Sequence, residues 1–568
     1  MYKRQRKDSA TAPAVSSVSG VTVTVGVPTG TRVLSVPQGG TIQAVIDTAK
    51  PGDTILIPPG RYNELLIMTT PVRLQGAGSG SVTIDAAKTP SRKIEDWRRR
   101  MQAFVTANPS YVLPGQPTGV QTSPSAEPTL FSTEEGPGLI VLGPSGTYQP
   151  DPSKPKYNPN VYRRINGYPN ARVDGVTFTG GDMGGAIFIN GYAHYFQVTN
   201  NRIVGNSGFY HGGIRSGYPN VTATGAATGL DAYVNANNDN MTIAYNQVME
   251  NGAFGGAGGG ISLCTGSTSY QVTKNWICGN FTSGNGGGIG HLGYSNNGSI
   301  DHNTIIFNQT FDQSTFPGGA GIYVGGEAAV PLVNGATLSP GTGTVTIDSN
   351  LIQGNLAGAG EGGGIQAEFV NGADVATIGA SNVDNKLSRL RNQGNQLHVY
   401  NNIIADNMAG LAGGGVSLQD VVLADIVNNT VVNNDSSATS GGAFPGGVTD
   451  QSNPLPGGVV SHAHSTGLTA AFAPYGLKAA NQAAYATFSS PAPFENNIIV
   501  GARSFFAQVN LASLTLPSPY VLTQAATTST TDLAVLGTGP ASCAGAACFL
   551  NPRFSLLSAN SNVAPYNI

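Results

Sequence analysis

Asp301 and Asp348 each end an alternating run, Gly-Ser-Ile-Asp and Val-Thr-Ile-Asp, and each stands two residues before an asparagine, Asn303 or Asn350. If the two runs are neighbouring strands, the carboxylates stack at roughly 5 Å. At that spacing they repel, which raises one pKa or draws in a cation. They are candidates for an acid–base pair or for metal ligands, with calcium a possible cofactor because it takes carboxylate oxygens. The alternative is two solvated surface acids.

A second set shares one place in another short run. Arg215, Ser262, Gly290, Tyr323, Gln366 and Ser417 each follow the Ile or Val that closes a glycine step, and Glu368 lies two residues beyond Gln366 on the same strand face. An arginine there can grip an anion in a bidentate fork, and tyrosine rings can stack on a ligand. Arg215, Glu368, Asp301 and Asp348 are thus the catalytic candidates, and Tyr218, Tyr323 and Gln366 the substrate-binding ones. The plainer alternative for Arg215 is a surface arginine among packing tyrosines. His462-Ala-His464 could clip a metal through two imidazoles, but no Cys, Asp or Glu lies close by in sequence. His291 falls in an inward phase of its strand and is expected to be buried and hydrogen-bonded. Cys543 and Cys548 could close a small ring. Cys264 and Cys278, half a repeat apart, are expected on opposite sides of the body and unpaired.

These residues are carried by a repeat. The pattern apolar-x-x-Asn-x-apolar-x-x-Asn occurs seven times, with Asn pairs 201/206, 246/251, 275/280, 303/308, 350/355, 402/407 and 429/434, and a degenerate copy surrounds Asn497. First asparagines are 45, 29, 28, 47, 52 and 27 residues apart, so the unit is about 28 residues with optional insertions. A glycine step follows each pair, as in Gly-Gly-Gly-Ile at 258–261, 286–289 and 362–365, with Gly-Gly-Ala-Phe at 441–444 as the last variant. Three short strands per unit and no helix-length amphipathic stretch make each unit one rung of a parallel β-helix. Asparagine tolerates left-handed angles at a bend, and its amide can bond up and down a ladder. Glycine lets the chain turn where a Cβ would clash.

Composition agrees. Of 568 residues 78 are Gly and 35 Pro, while charged residues make up only 10 %, which excludes a coiled coil or helical bundle. With 40 % hydrophobic residues the chain is not disordered. A net charge of −3 offers no basic field for nucleic acid, and no apolar run is long enough to span a membrane. The opening Met-Tyr-Lys-Arg-Gln reads as partly artefactual, so no signal peptide is expected to be visible from this start.

Residues 41–78, TIQAVIDTAKPGDTILIPPGRYNELLIMTTPVRLQGAG, resemble the opening segment of right-handed β-helices of the pectin lyase-like superfamily: a short helix, the turn Gly52-Asp53, a buried strand Thr54–Ile57, then Pro59-Gly60-Arg61-Tyr62. The paired asparagines and glycine steps also look like those of bacterial surface β-helix proteins. The resemblance, over about 41–85 and 170–510, implies an all-β fold: a single right-handed parallel β-helix, a solenoid of about 28 residues per coil, with an N-terminal capping helix and surface loop insertions. The expected divisions are an N-terminal segment 1–36, opening and cap 37–85, a helix-plus-Pro-rich insertion 86–165, the body 166–510 and an irregular segment 511–568.

Insertions at Tyr218–Asn240, Gly326–Gly343 and Val370–Gln396 leave the coil at one equivalent turn, and a fourth spans Pro445–Ser490. Loops growing from one edge of a rigid scaffold commonly carry function. They predict a groove over the second and third repeats, floored by Ser262 and Gly290 and suited to a linear polymer. The resemblance implies a secreted or cell-surface protein that binds or processes a polysaccharide or cell-surface glycan, by lyase or glycosidase chemistry if it is an enzyme. Clustered acids around a calcium, an Arg-x-Lys motif and an Asp-Pro-His-Asp motif are all missing, which keeps a non-catalytic adhesion or spacer module as the alternative.

Overall fold

The computed structural model of the protein describes residues 32–119, 121–123, 126–129, 135–145, 170–223, 227–332, 335–446, 450–477, 484–509, 520–525, 532–537 and 550–558. Most of the expected N-terminal segment, much of 511–568 and Cys543 and Cys548 lie outside these residues.

Two buried asparagine ladders run the length of the body. In each, the amide oxygen of one asparagine accepts from the backbone N–H and the side-chain amide of its equivalent one coil back. Asn275 takes Asn303 in this way at 2.9 and 3.0 Å, while its own Nδ2 donates to Ile243 O at 2.8 Å. Every polar atom of the amide is used, which is what a buried amide requires. The first ladder reaches Asn497, and beyond it Ser555 Oγ accepts from the Asn497 N–H at 3.0 Å. The left-handed residues are not the ladder asparagines but those just before them: Tyr245, Lys274, His302, Ser349 and Asn401 have φ between 54° and 59°. Turning the corner one residue early aims the asparagine inward, where its amide can be stacked.

The chain thus forms an all-β parallel β-helix. From Ser207 onward the coils supply a fourth strand beyond the three expected, and the strands stack into sheets of 12, 12, 11 and 9 members. The fourth sheet consists mostly of two-residue strands such as Phe281–Thr282, which follow the second asparagine and were too short to show as a period-two run. The registers keep like over like. Ile214, Ile261, Ile289, Ile322, Ile365, Val416 and Val459 form one inward column of the third sheet, and all are buried. Each such side chain contributes about 1.5–3 kcal/mol on burial.

At the open end, the short helix Ile42–Ile46 packs Ile42 and Ile46 on the core. The Glu64 carboxylate accepts from the Ile42 and Gln43 N–H groups at 2.8 and 2.9 Å and so caps the helix. The helix Arg92–Ala107 lays Ile94, Trp97, Met101 and Val105 on the outer face of the third sheet, against Ile140 and Phe188. The arginine cluster forms ion pairs there, Arg98 with Glu135 at 2.5 Å and Arg100 with Asp47 at 2.9 Å.

Two expected boundaries move. Leu139–Leu142, inside the supposed insertion 86–165, is a third-sheet strand between Leu66–Met68 and Ile187–Gly191. Val459–His462 is likewise a coil strand inside the supposed insertion 445–490. The true glycine step of that coil is Gly457-Gly458-Val459, whereas Gly441–Ala443 makes a single 3-10 turn.

Candidate functional site

Along the outer face of the third sheet, the strand registers run Arg215–Ser262–Gly290–Tyr323–Gln366–Ser417 as expected. The floor foreseen over the second and third coils is nevertheless covered, and Ser262 is only 1 % exposed. Gly290 lies so close to the backbone of Ala257 and Gly258 that a Cβ there would stand 2.6 Å from it, so the glycine step folds the preceding turn across the strand. The flanking loops also join one another. Glu327 accepts from Thr265 Oγ1 at 3.1 Å and from Asn220 N at 3.4 Å, and Tyr233 donates to Ala328 O at 3.0 Å.

Further along the same face the small residues give way to a polar cluster. Glu361 leaves the turn before the Ile365–Glu368 strand, and its Oε2 accepts from Ser417 Oγ at 2.6 Å. His462 Nε2 lies 2.6 Å from the same oxygen, with both side chains about one-sixth to one-fifth exposed (17 % and 19 %). Glu368 accepts from the Tyr323 hydroxyl at 2.7 Å. Behind them Asp420 Oδ1 stands 3.3 Å from Nδ1 of the enclosed His464 and accepts from the Ser465 N–H at 2.7 Å.

The two glutamates are driven apart. Burial acts to raise both, and in Glu368 it prevails over the Tyr323 hydrogen bond, helped by the neighbouring Glu361 charge, so its carboxyl sits above the usual range. In Glu361 the His462 charge and the Ser417 hydroxyl outweigh burial and hold the carboxyl below that range. Burial would lower the His462 imidazole, but Glu361 raises it further, with smaller help from Glu368 and Asp420. The arrangement is an ionised Glu361 facing a His462 that holds its proton more tightly than an ordinary imidazole, beside a Glu368 that keeps its own proton more readily. A cavity of about 190 Å³ opens on Glu361 and His462.

The structure brings Tyr323, Gln366 and Glu368 into this one neighbourhood and leaves the other candidates elsewhere. Arg215 is fully buried at the N-terminal end of the face, stacked on Phe188, Tyr210 and Tyr218 with its guanidinium carbon 4.8, 5.1 and 4.6 Å from their ring centres. Its Nε donates to Gly217 O at 2.7 Å. Asp301 and Asp348 are strand partners, but in the first sheet. Asp301 accepts from Thr273 and Ser299 hydroxyls at 2.6 and 2.8 Å, and Asp348 from Ser349 and Asn401 at 3.0 and 2.8 Å. Calcium needs six to eight oxygens. These carboxylates are already occupied by donors, and among the described residues no three His, Cys, Asp or Glu side chains gather closely enough to hold a metal ion. The donor set does not fit the ion. His291 is buried as expected, accepting from Tyr270 through Nδ1 at 2.9 Å when Nε2 donates to Gly293 O at 2.8 Å; burial pushes it down to about 4. Cys264 and Cys278 belong to different sheets, the third and the second.

Reading along the sequence missed Glu361 and its partnership with His462. Both carry a signal in the repeat. Backbone hydrogen bonds align Glu361 with Asn285, Gly318 and Ala412, so it is the one charged residue in that run of turn positions. Once Gly457-Gly458 is taken as a glycine step, His462 falls beside Gln419 and hence in the column of Glu368. Among the described residues no helix is long and apolar enough to cross a membrane. No protein-family model matches the chain, and neither a curated protein nor a solved structure matches it.

Proposed function

We propose that this is a secreted or cell-surface β-helix protein, allied to the pectin lyase-like superfamily, that binds and cleaves a polysaccharide at the Glu361–Glu368 cluster. One arrangement carries the reading: two carboxyl groups share one face in unlike surroundings, Glu361 held by His462 and the Ser417 hydroxyl and Glu368 buried against the Tyr323 hydroxyl, which pushes their proton affinities apart, the condition for giving them different jobs. Glu368 donates its proton to the glycosidic oxygen as the C–O bond breaks and its electron pair moves onto that oxygen. Glu361, kept ionised by His462 and Ser417, faces the positive charge that develops on the sugar carbon; a water then bonds to that carbon and gives up a proton to the Glu368 carboxylate, which restores the acid. Hydrolysis is favoured over elimination because elimination needs a free basic residue, and the arginine of this face is enclosed by three rings.

The test is a polysaccharide panel with and without calcium, scored for new reducing ends and for the absorbance of unsaturated products. Reducing ends without unsaturated product are expected, with a loss of about 10²–10⁴ in rate for Glu368→Gln. Silence on every glycan, or an unimpaired Glu368→Gln enzyme, would reject the catalytic reading.

A non-catalytic adhesion module is the second reading, favoured by exposed aromatic side chains on adjacent coils. Phe254, Phe281 and Phe311 are 67 %, 43 % and 49 % exposed, and the rings of Phe281 and Phe311 are 6.2 Å apart. Glycan binding without turnover, lost in Phe281→Ala and Phe311→Ala, would support it.

A further inference from the structure

The cavity beside Glu361 has a composition that restricts what can enter it. At about 190 Å³ it has room for several waters and so for a sugar ring. Its lining combines the polar Glu361, His462 and Asn453 with the apolar Leu411, Leu455 and Leu536. No arginine or lysine lines it. A uronate or sulfate would therefore sit against the ionised Glu361 with only His462 as counter-charge, and His462 is already taken up by that carboxylate at 2.6 Å. Recognition of a carboxylate ordinarily uses an arginine fork or a lysine. The ligand that complements this charge pattern is uncharged. The leucine lining adds a second restriction, because a sugar hydroxyl pressed against it loses water and gains no hydrogen bond, at a cost of about 1–3 kcal/mol.

We propose that this cavity binds an uncharged sugar unit bearing a methyl group, as a 6-deoxy or an acetyl substituent, with the methyl on Leu411, Leu455 and Leu536 and its hydroxyls toward Glu361 and Asn453. The inference rests on the glycan reading above and names the sugar class taken by the cavity on the Glu361 side of that cluster, a cavity Glu368 does not line. It separates this site from one built for acidic polymers.

The experiment is titration calorimetry and saturation-transfer NMR of the full chain with matched monosaccharides: a 6-deoxyhexose, its parent hexose, an N-acetylhexosamine and a hexuronic acid. The deoxy or acetylated sugar should bind about 10–100-fold more tightly than the parent hexose, and the uronate most weakly. Leu411→Ala, at a half-buried position, should bring the affinity for the methyl-bearing sugar down to that for the parent hexose. Leu455→Ala repeats the test at a second leucine of the lining and is checked for folding by its circular dichroism. A parent hexose or uronate that binds as well as the methyl-bearing sugar overturns the inference and leaves the glycan reading standing. If no sugar binds and no polysaccharide is turned over, both fall together.

Discussion

Removing one rung of an asparagine ladder tests the physical basis of the fold. Asn303→Ala deletes four side-chain hydrogen bonds. Asn275 N–H and Nδ2 lose their acceptor at 2.9 and 3.0 Å, Val272 O loses its donor at 2.8 Å, and Asn350 Oδ1 loses one of two donors at 3.0 Å. Asn275 Nδ2 keeps Ile243 O, and Asn350 Oδ1 keeps the Asn303 backbone N–H, so those two losses are partly absorbed. The Asn275 backbone N–H is left buried without its acceptor, at about 1–3 kcal/mol, while Val272 O, a member of the first-sheet ladder, loses one donor. The expected cost is about 2–4 kcal/mol. Asn303→Asp should cost as much at neutral pH, because a carboxylate can accept from Asn275 but places negative oxygens against Val272 O and Asn350 Oδ1. Because coils contact mainly their neighbours, the loss should be concentrated near the change. Urea unfolding gives the overall effect, and hydrogen exchange at the Asn275 amide reads the local one. Asn401→Ala is the control, an exposed corner residue with φ 56° that makes no ladder bond and only an exposed hydrogen bond to Asp348, and it should cost about 1–2 kcal/mol, chiefly through its backbone angle. A loss below about 1 kcal/mol for Asn303→Ala, or a control that costs more, would mean that the apolar columns carry the stacking and the amides only decorate it.

Two further outcomes follow from buried groups away from the cluster. His291 is held neutral, its pKa down to about 4 against an ordinary 6.5. Between those values the unfolded chain takes up a proton that the folded one refuses, so stability falls as pH drops from about 6.5 to about 4, by up to about 3 kcal/mol, and then levels off. His291→Gln should flatten that part of the stability–pH curve, and an unchanged slope would show that other groups set it. Arg215→Met should lower stability by about 1–3 kcal/mol through lost stacking on Phe188, Tyr210 and Tyr218. It should leave glycan cleavage at the Glu361–Glu368 cluster intact, and loss of activity in a folded Arg215→Met protein would return Arg215 to the catalytic set.

The β-helix was legible because its two signals repeat. Paired asparagines and glycine steps recur once per coil, and their spacing aligns columns that the strand registers then follow residue for residue, from Ile214 to Val459. The fourth sheet was not legible because two residues cannot display a period of two. The Leu139–Leu142 strand was hidden for another reason. It lies between a helix and a Pro-rich stretch, without the asparagine pair that marks later coils, and its place is decided by packing under the helix Arg92–Ala107. Exposure was misjudged where the sequence shows only small residues. Ser262 and Gly290 suggested an open floor, yet smallness is also what lets the adjoining turn close over them.

The site itself was half legible, and the missing half shows where to look in a repeat protein. Tyr323, Gln366 and Glu368 were reached by sliding strands into register, which needs only local spacing. The Glu361–His462 contact joins residues about a hundred positions apart through two coil advances, and a single misplaced glycine step hid it. In a solenoid the repeat states what each position needs for stacking, so a residue that departs from its column without a structural reason is informative. At the turn position shared by Asn285, Gly318, Glu361 and Ala412, a small or neutral side chain suffices. A glutamate there brings a desolvation cost that must be offset, here by His462 and the Ser417 hydroxyl. That cost has no counterpart in the neighbouring coils, which stack equally well without it. Stacking therefore does not account for Glu361, and the cavity it faces is where its charge can act.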